Sequence, residues 1–215
     1  MLVVFILITI AACVRFLSST QDSNTFELTL NNTLLLLALI PPIVNIPLFT
    51  TVPLVRDKTN GTIENLLATP LNPKEIVKGK SFAIFLPGFI IAILSPLIVM
   101  IVVNFSLTIS NYGFFYFPMT LLLSVFVITP MFCYELTKFT IQISMIKSPE
   151  AAIAPSYLIG FGLIIGIPIC STIGFINLAS WSFSLIYLGV TFIMWILVWS
   201  FSLLLTKEKI ILSNL

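Results

Sequence analysis

The sequence contains no histidine, and only 8% of its residues are charged. The first absence removes the commonest general base and the commonest metal ligand of proteins. Zinc sites, histidine-ligated haem and Ser-His-Asp chemistry are therefore not expected here. The second absence excludes an ordinary soluble body, because soluble domains carry roughly 25% charged residues. A chain of 215 residues this poor in charge could not cover its own surface in water. Cysteine is scarce too. Cys13, Cys133 and Cys170 each lie in an apolar run, form no CxxC pair, and read as small buried apolar residues. The net charge of +2 is too small to suggest a nucleic-acid partner.

What the chain has instead is long apolar runs. Six stand out, at 1–17, 33–55, 81–103, 114–136, 151–173 and 181–206. They are too long and too continuously apolar for barrel strands, so the expected fold is all-α, a single transmembrane domain of six helices. The lipid bilayer is its solvent. The run 1–17 lacks the leading Lys or Arg of a signal peptide. At ~1.5 Å per residue it barely crosses a ~30 Å hydrocarbon core, so it is expected to be a first helix that has lost part of its amino-terminal end.

The connections differ in charge. Segment 18–32 holds Asp22 and Glu27 but no Lys or Arg, and 104–113 and 174–180 are uncharged. Arg56, Lys58, Lys74, Lys78 and Lys80 fall in 56–80, Lys138 and Lys147 in 137–150, and Lys207 and Lys209 in the tail. Nine of the ten basic residues thus lie on one side, which the positive-inside rule assigns to the cytoplasm. Both termini are then cytoplasmic. The exception, Arg15, sits near the outer end of the first helix, where it can snorkel.

Within the spans, Pro41, Pro42, Pro47 and Pro53 crowd the second, with Asn45, Thr50 and Thr51 among them. Proline removes a helical hydrogen bond, so a broken or bent helix with freed carbonyls is expected. Pro41, Pro42, Asn45, Pro47, Thr50 and Thr51 are candidate pathway residues; the alternative is a kink filled by neighbouring helices. In the fifth span, Gly162 and Gly166 form a small-xxx-small pair suited to close packing, within the protomer or in a dimer. Glu135 is the most embedded acid and is expected to pair with Lys138 one turn on. Belt or packing roles are expected for Tyr112, Tyr116, Trp181, Tyr187, Trp195 and Trp199.

The most informative connection is 56–80, RDKTNGTIENLLATPLNPKEIVKGK. Asn60-Gly61 signals a turn, and Thr62 can cap a short helix over 63–68 with Glu64 in its first turn. Pro70 stops that helix. Asn72, Pro73 and Glu75 then form a near-complete capping box, starting a helix expected to run through Lys78 and Lys80 into the third span. A topology-fixing basic loop is the plainer reading.

Arg56, Asp57, Gly61-Thr62, Glu64, Leu66-Leu67, Ala68-Thr69-Pro70-Leu71, Glu75-Ile76 and Gly79-Lys80 closely resemble the cytoplasmic loop of ABC type 2 exporter permeases. Lys147 to Ala152, the six spans and the basic tail fit the same family. The resemblance implies a short coupling helix between spans 2 and 3. Arg56, Asp57, Gly61, Thr62, Glu64, Leu66, Leu67, Thr69, Pro70 and Glu75 would face a separate ABC ATPase subunit. It further implies two permeases, as a homodimer or a paired second permease, in a prokaryotic cytoplasmic membrane. Family members begin with an amphipathic cytoplasmic helix, whereas this chain starts in apolar sequence; a truncated start or a minimal variant both fit.

Gly79-Lys80-Ser81 is not a phosphate-binding loop. Position 74 is Lys where the motif needs glycine, and a span follows where a strand should precede. The chain is therefore not expected to be an enzyme or to bind a cofactor; ATP and magnesium would belong to the partner. The competing reading is a non-ABC scaffold or assembly subunit, or a secondary transporter. The last should show internal repeats and mid-membrane ionisable groups, and the sequence has neither.

Overall fold

The computed structural model describes residues 11, 12, 15, 23–60, 62, 65, 68–109, 115–146 and 149–205. The expected first span, 1–17, lies outside them except for Ala11, Ala12 and Arg15, which are helical. Among the described residues there is no strand, and five helices are long and apolar enough to cross a membrane. These are α1 (Ser23–Thr59), α2 (Pro73–Val103), α3 (Met119–Ile146), α4 (Pro149–Thr172) and α5 (Trp181–Leu204). The chain is an all-α, multi-pass membrane protein.

Helices α4 and α5 match the expected 151–173 and 181–206 to within two residues at each end. Helices α1, α2 and α3 run well beyond their apolar stretches. The expected outer connection 18–32 is helical from Ser23 onward, because its polar side chains bond back to their own helix. Thr29 Oγ1 donates to Thr25 O at 2.6 Å, Thr33 Oγ1 to Thr29 O at 2.7 Å and Asn32 Nδ2 to Leu28 O at 3.1 Å. The expected connection 137–150 is likewise helical to Ile146, with Thr137, Thr140 and Ser144 bonding back to carbonyls of the preceding turn. In contrast, α3 starts at Met119 rather than near 114, after the extended residues 115–118 that end in Pro118. At ~1.5 Å per residue the 37 residues of α1 reach ~55 Å, beyond a ~30 Å core, so the helix tilts or stands clear of the hydrocarbon.

The expected break in the proline-rich span is not seen: α1 passes Pro41, Pro42, Pro47 and Pro53 as one helix. The irregular turns lie elsewhere. A π turn over Ser124–Ile128 precedes Pro130, and there Thr129 N–H reaches back to Ser124 O. Proline crowds the carbonyl four residues earlier, and widening the turn relieves that contact. Thr129 Oγ1 adds a second bond to the same carbonyl at 2.9 Å. A second π turn, Asn104–Thr108, ends α2.

The core lies between α1 and α3. Leu30, Leu34, Leu35, Leu39, Ile43 and Ile46 of α1 and Phe132, Cys133 and Leu136 of α3 are all buried. α2 and α4 both pack on α1 and on α3, whereas α5 packs chiefly on α3. At Gly88, α2 comes against the backbone of α1. A Cβ there would stand 2.7 Å from Asn45 Nδ2 and 2.8 Å from Pro42 Cα. The backbone of α1 cannot yield as a side chain tip would, so only glycine fits. Gly162 and Gly166 behave oppositely: a Cβ at either meets nothing within 4 Å among the described residues. They do not pack within the described protomer. Gly88→Ala is therefore expected to lower stability by about 1–3 kcal/mol despite alanine's better helix propensity. Gly162→Ala should be neutral or stabilising. Thermal unfolding in detergent distinguishes them, and equal stability of the two variants would disprove the contact.

Candidate functional site

The organised connection between α1 and α2 is shorter than the sequence suggests. α1 continues to Thr59 and α2 begins at Pro73, leaving 60–72 between them. Asn60 N–H donates to Arg56 O at 3.0 Å as the chain leaves α1. Thr62, Asn65 and Ala68 are helical and exposed, and Thr69 and Pro70 bend the chain. Gly61, Glu64, Leu66 and Leu67 lie outside the described residues. The start of α2 is as expected. Pro73 opens the helix, and the Glu75 carboxylate accepts from Asn72 N–H at 3.0 Å, satisfying one donor of the helix end. Lys80 Nζ then meets Asp57 Oδ2 at 2.6 Å, joining α2 to the last turn of α1.

Of the candidate pathway residues, Pro41, Pro42 and Asn45 are buried on the face of α1 that meets Gly88, and Pro47 is half-buried. Asn45 Nδ2 is a buried donor with no acceptor. The side chains of Thr50 and Thr51 lie outside the described residues.

The expected Glu135–Lys138 pair is present at 2.9 Å. Lys138 Nζ also stands 4.7 Å from the centre of the Tyr134 ring, a cation–π contact. The second oxygen, Glu135 Oε2, is buried without a partner. The lysine-bearing ends of α2 and α3 meet Leu205, which follows α5, in a small apolar cluster of Ile76, Val77, Ile84, Ile141, Met145 and Leu205.

The aromatic residues divide between packing and exposure. Tyr187 is buried, stacks on Phe183 and donates to Thr129 Oγ1 at 3.2 Å beside the π turn. Trp181, Trp195 and Trp199 are exposed. Tyr112 and Cys13 lie outside the described residues. Cys133 and Cys170 are free thiols.

Sequence reasoning missed the polar clasp at the opposite end of the helices. Tyr116 Oη and the Asn31 amide exchange hydrogen bonds at 3.1 and 3.2 Å. Asn104 holds the backbone of Tyr116 through both its amide atoms, at 2.8 and 3.2 Å. Burial pushes the Tyr116 hydroxyl above its ordinary pKa, so it stays protonated and keeps its donor. Asn32 meets Ser171 at 3.3 Å, and Thr120 Oγ1 donates to Ala179 O. The available signal was asparagine recurring at 31, 32 and 104 beside apolar sequence.

Compared with family models, curated proteins and solved structures, the chain finds no match. Among the described residues no cluster of His, Cys, Asp and Glu is suited to a metal ion.

The buried ion pair yields a test. Lys138→Met leaves the Glu135 carboxylate buried and uncompensated, at an expected cost of about 1–3 kcal/mol. Adding Glu135→Gln should restore most of that stability. Strictly additive losses in thermal unfolding would show that the two residues do not act as a pair.

Proposed function

We propose that this chain is the membrane-spanning permease subunit of an ATP-driven exporter of the ABC type 2 class. It would draw energy from a separate ATPase subunit, which would hold the ATP and magnesium. The observation that carries this reading is the Asp57–Lys80 ion pair. Both residues belong to the segment whose motif resembles that family's cytoplasmic loop, and their side chains tie α1 to α2 across it. With Glu75 capping α2 and Gly88 seated against α1, a push on 60–72 would move α1 and α2 as one unit.

On this reading six spans place both termini in the cytoplasm, together with the lysine-bearing end. The short helix beginning at Thr62 is the coupling element. Arg56, Asp57, Gly61, Glu64, Leu66, Leu67, Thr69 and Pro70 transmit ATPase closure. The pathway runs along Pro41, Pro42, Asn45, Pro47, Thr50 and Thr51. The unpartnered Asn45 amide supports this assignment. A buried donor without an acceptor costs about 1–3 kcal/mol, which an acceptor on a passing substrate would offset. Two permeases work together, and Gly162 and Gly166, where an added Cβ would meet none of the described residues within 4 Å, suit a close contact between them.

The first measurement is co-purification of the tagged full chain in mild detergent. A nucleotide-hydrolysing subunit should accompany it. A complex without any ATPase would favour a scaffold or a secondary transporter. The second is a coupling variant, Gly61→Val with Glu64→Ala. It is expected to leave the protein folded and ATP hydrolysis running while ATP-dependent transport in vesicles falls at least tenfold, about 1.4 kcal/mol of lost coupling. Unchanged transport would sink the assignment.

A further inference from the structure

Three helices each present one face to a cleft at the lysine-bearing end. Lys74 and Lys78 lie four residues apart on α2, Lys138 and Gln142 on α3, and Trp195 and Trp199 on α5. The cleft has a volume of about 180 Å³. Three ammonium groups and the one carboxylate of Glu135 leave it two positive charges. Lys138 is paired with Glu135, whereas Lys74 and Lys78 have no carboxylate partner among the described residues. Both are exposed.

A second cleft adjoins this one. Glu135 and Trp195 line both. The second is an apolar groove of about 530 Å³ between α3 and α5, walled by Leu123, Val127 and Met131 on one side and Leu188 and Phe192 on the other. Its α3 wall includes the π turn, where the widened helix turns Val127 outward. A basic, tryptophan-edged cleft beside an apolar groove between membrane helices has the polarity of an amphipathic anion.

We propose that the two adjoining clefts together hold an anionic phospholipid of the surrounding bilayer. Its phosphate sits against Lys74, Lys78 and Lys138, and an acyl chain lies along the α3–α5 groove. Charge selects the lipid: a zwitterionic headgroup brings its own cation to a cleft that already has two in excess. Trp195 and Trp199 sit at the level where headgroup meets chain, the depth that indole rings favour. The occupant would fasten the first turns of α2 to α3 and α5, beside the small apolar cluster around Ile141. The inference depends on the membrane fold and not on the transport reading.

The chain has three tryptophans, and Trp181 lies at the far end of α5, so Trp181→Phe leaves only the two at the cleft. The full-length variant is reconstituted in phosphatidylcholine bilayers containing a small fraction of brominated lipid, and tryptophan quenching is read. Brominated phosphatidylglycerol is expected to quench at a fraction on the order of tenfold lower than brominated phosphatidylcholine, as two uncompensated lysines imply. Lys74→Gln with Lys78→Gln should abolish the difference, and Lys74→Arg with Lys78→Arg should keep it. Equal quenching by the two lipids would overturn the proposal, as would a preference that survives the double Gln variant. Loss of the preference on adding millimolar inorganic phosphate would reassign the cleft to a soluble anion and overturn the lipid assignment.

Discussion

In hydrocarbon a polar group has no water to fall back on, and leaving it unpaired costs several kcal/mol. That constraint organises this molecule more than any single contact. Hydroxyls inside the helices turn back to their own carbonyls, as Ser81, Thr137, Thr140 and Thr191 do. Longer polar side chains gather at the two ends of the bundle, where they clasp one helix to another. Between those ends the contacts are mainly apolar, centred on Leu34, Leu39, Phe132 and Leu136, with short hydroxyl contacts such as Tyr187–Thr129 crossing between helices. The exceptions are informative. Buried side-chain atoms without partners occur at Asn32, Asn45, Ser95, Glu135 and Gln142. Glu135 and Gln142 border the basic cleft, and Asn45 sits at the proline pair of α1. Polar groups kept at a cost, in places where a ligand or a second conformation would satisfy them, are poor choices for stability alone.

The five helices are not equally bound to one another. α3 touches every other helix, and α5 depends chiefly on it. α1 and α2 form the most extensive pair, locked where Gly88 lets α2 rest on Pro42. The Asp57–Lys80 pair is only partly buried, and such pairs contribute roughly 0–1 kcal/mol. Its role is orientation. The stiffness of the α1–α2 unit comes from the glycine contact and the apolar face of α1.

How much of this is legible in the sequence follows from which physical signal each feature leaves. Hydropathy finds helices whose ends coincide with a change of polarity, so α4 and α5 are read almost to the residue. In the structure Ser180, whose hydroxyl accepts from Ser182 N–H at 3.1 Å, caps α5 where the apolar run begins. Hydropathy misses helix that continues in polar sequence, as at Thr25–Thr33 and Thr137–Ile146. The capping signal at Asn72, Pro73 and Glu75 is local chemistry and was readable. Gly88 was not, because its necessity comes from prolines more than forty residues away. The π turn was not either, although Pro130 after a run of β-branched residues explains it afterwards. In the connection, the ion pair and the cap are in place, while Gly61, Glu64, Leu66 and Leu67 carry their meaning only through a resemblance.

The start of α2 is where these threads meet. Successive helical residues are about 100° apart, so Lys78 and Lys80 point to nearly opposite sides. Lys80 reaches Asp57 of α1, and Lys78, with Lys74 one turn earlier, faces the cleft shared with α3 and α5. The first two turns of α2 thus carry an ion pair on one side and two uncompensated lysines on the other. Both bear on the same element: the helix start just after the 60–72 connection. A change at that connection and a change of charge in the cleft would therefore act on the same stretch of helix. Any influence of one site on the other would need no long pathway, because about one helical turn separates them.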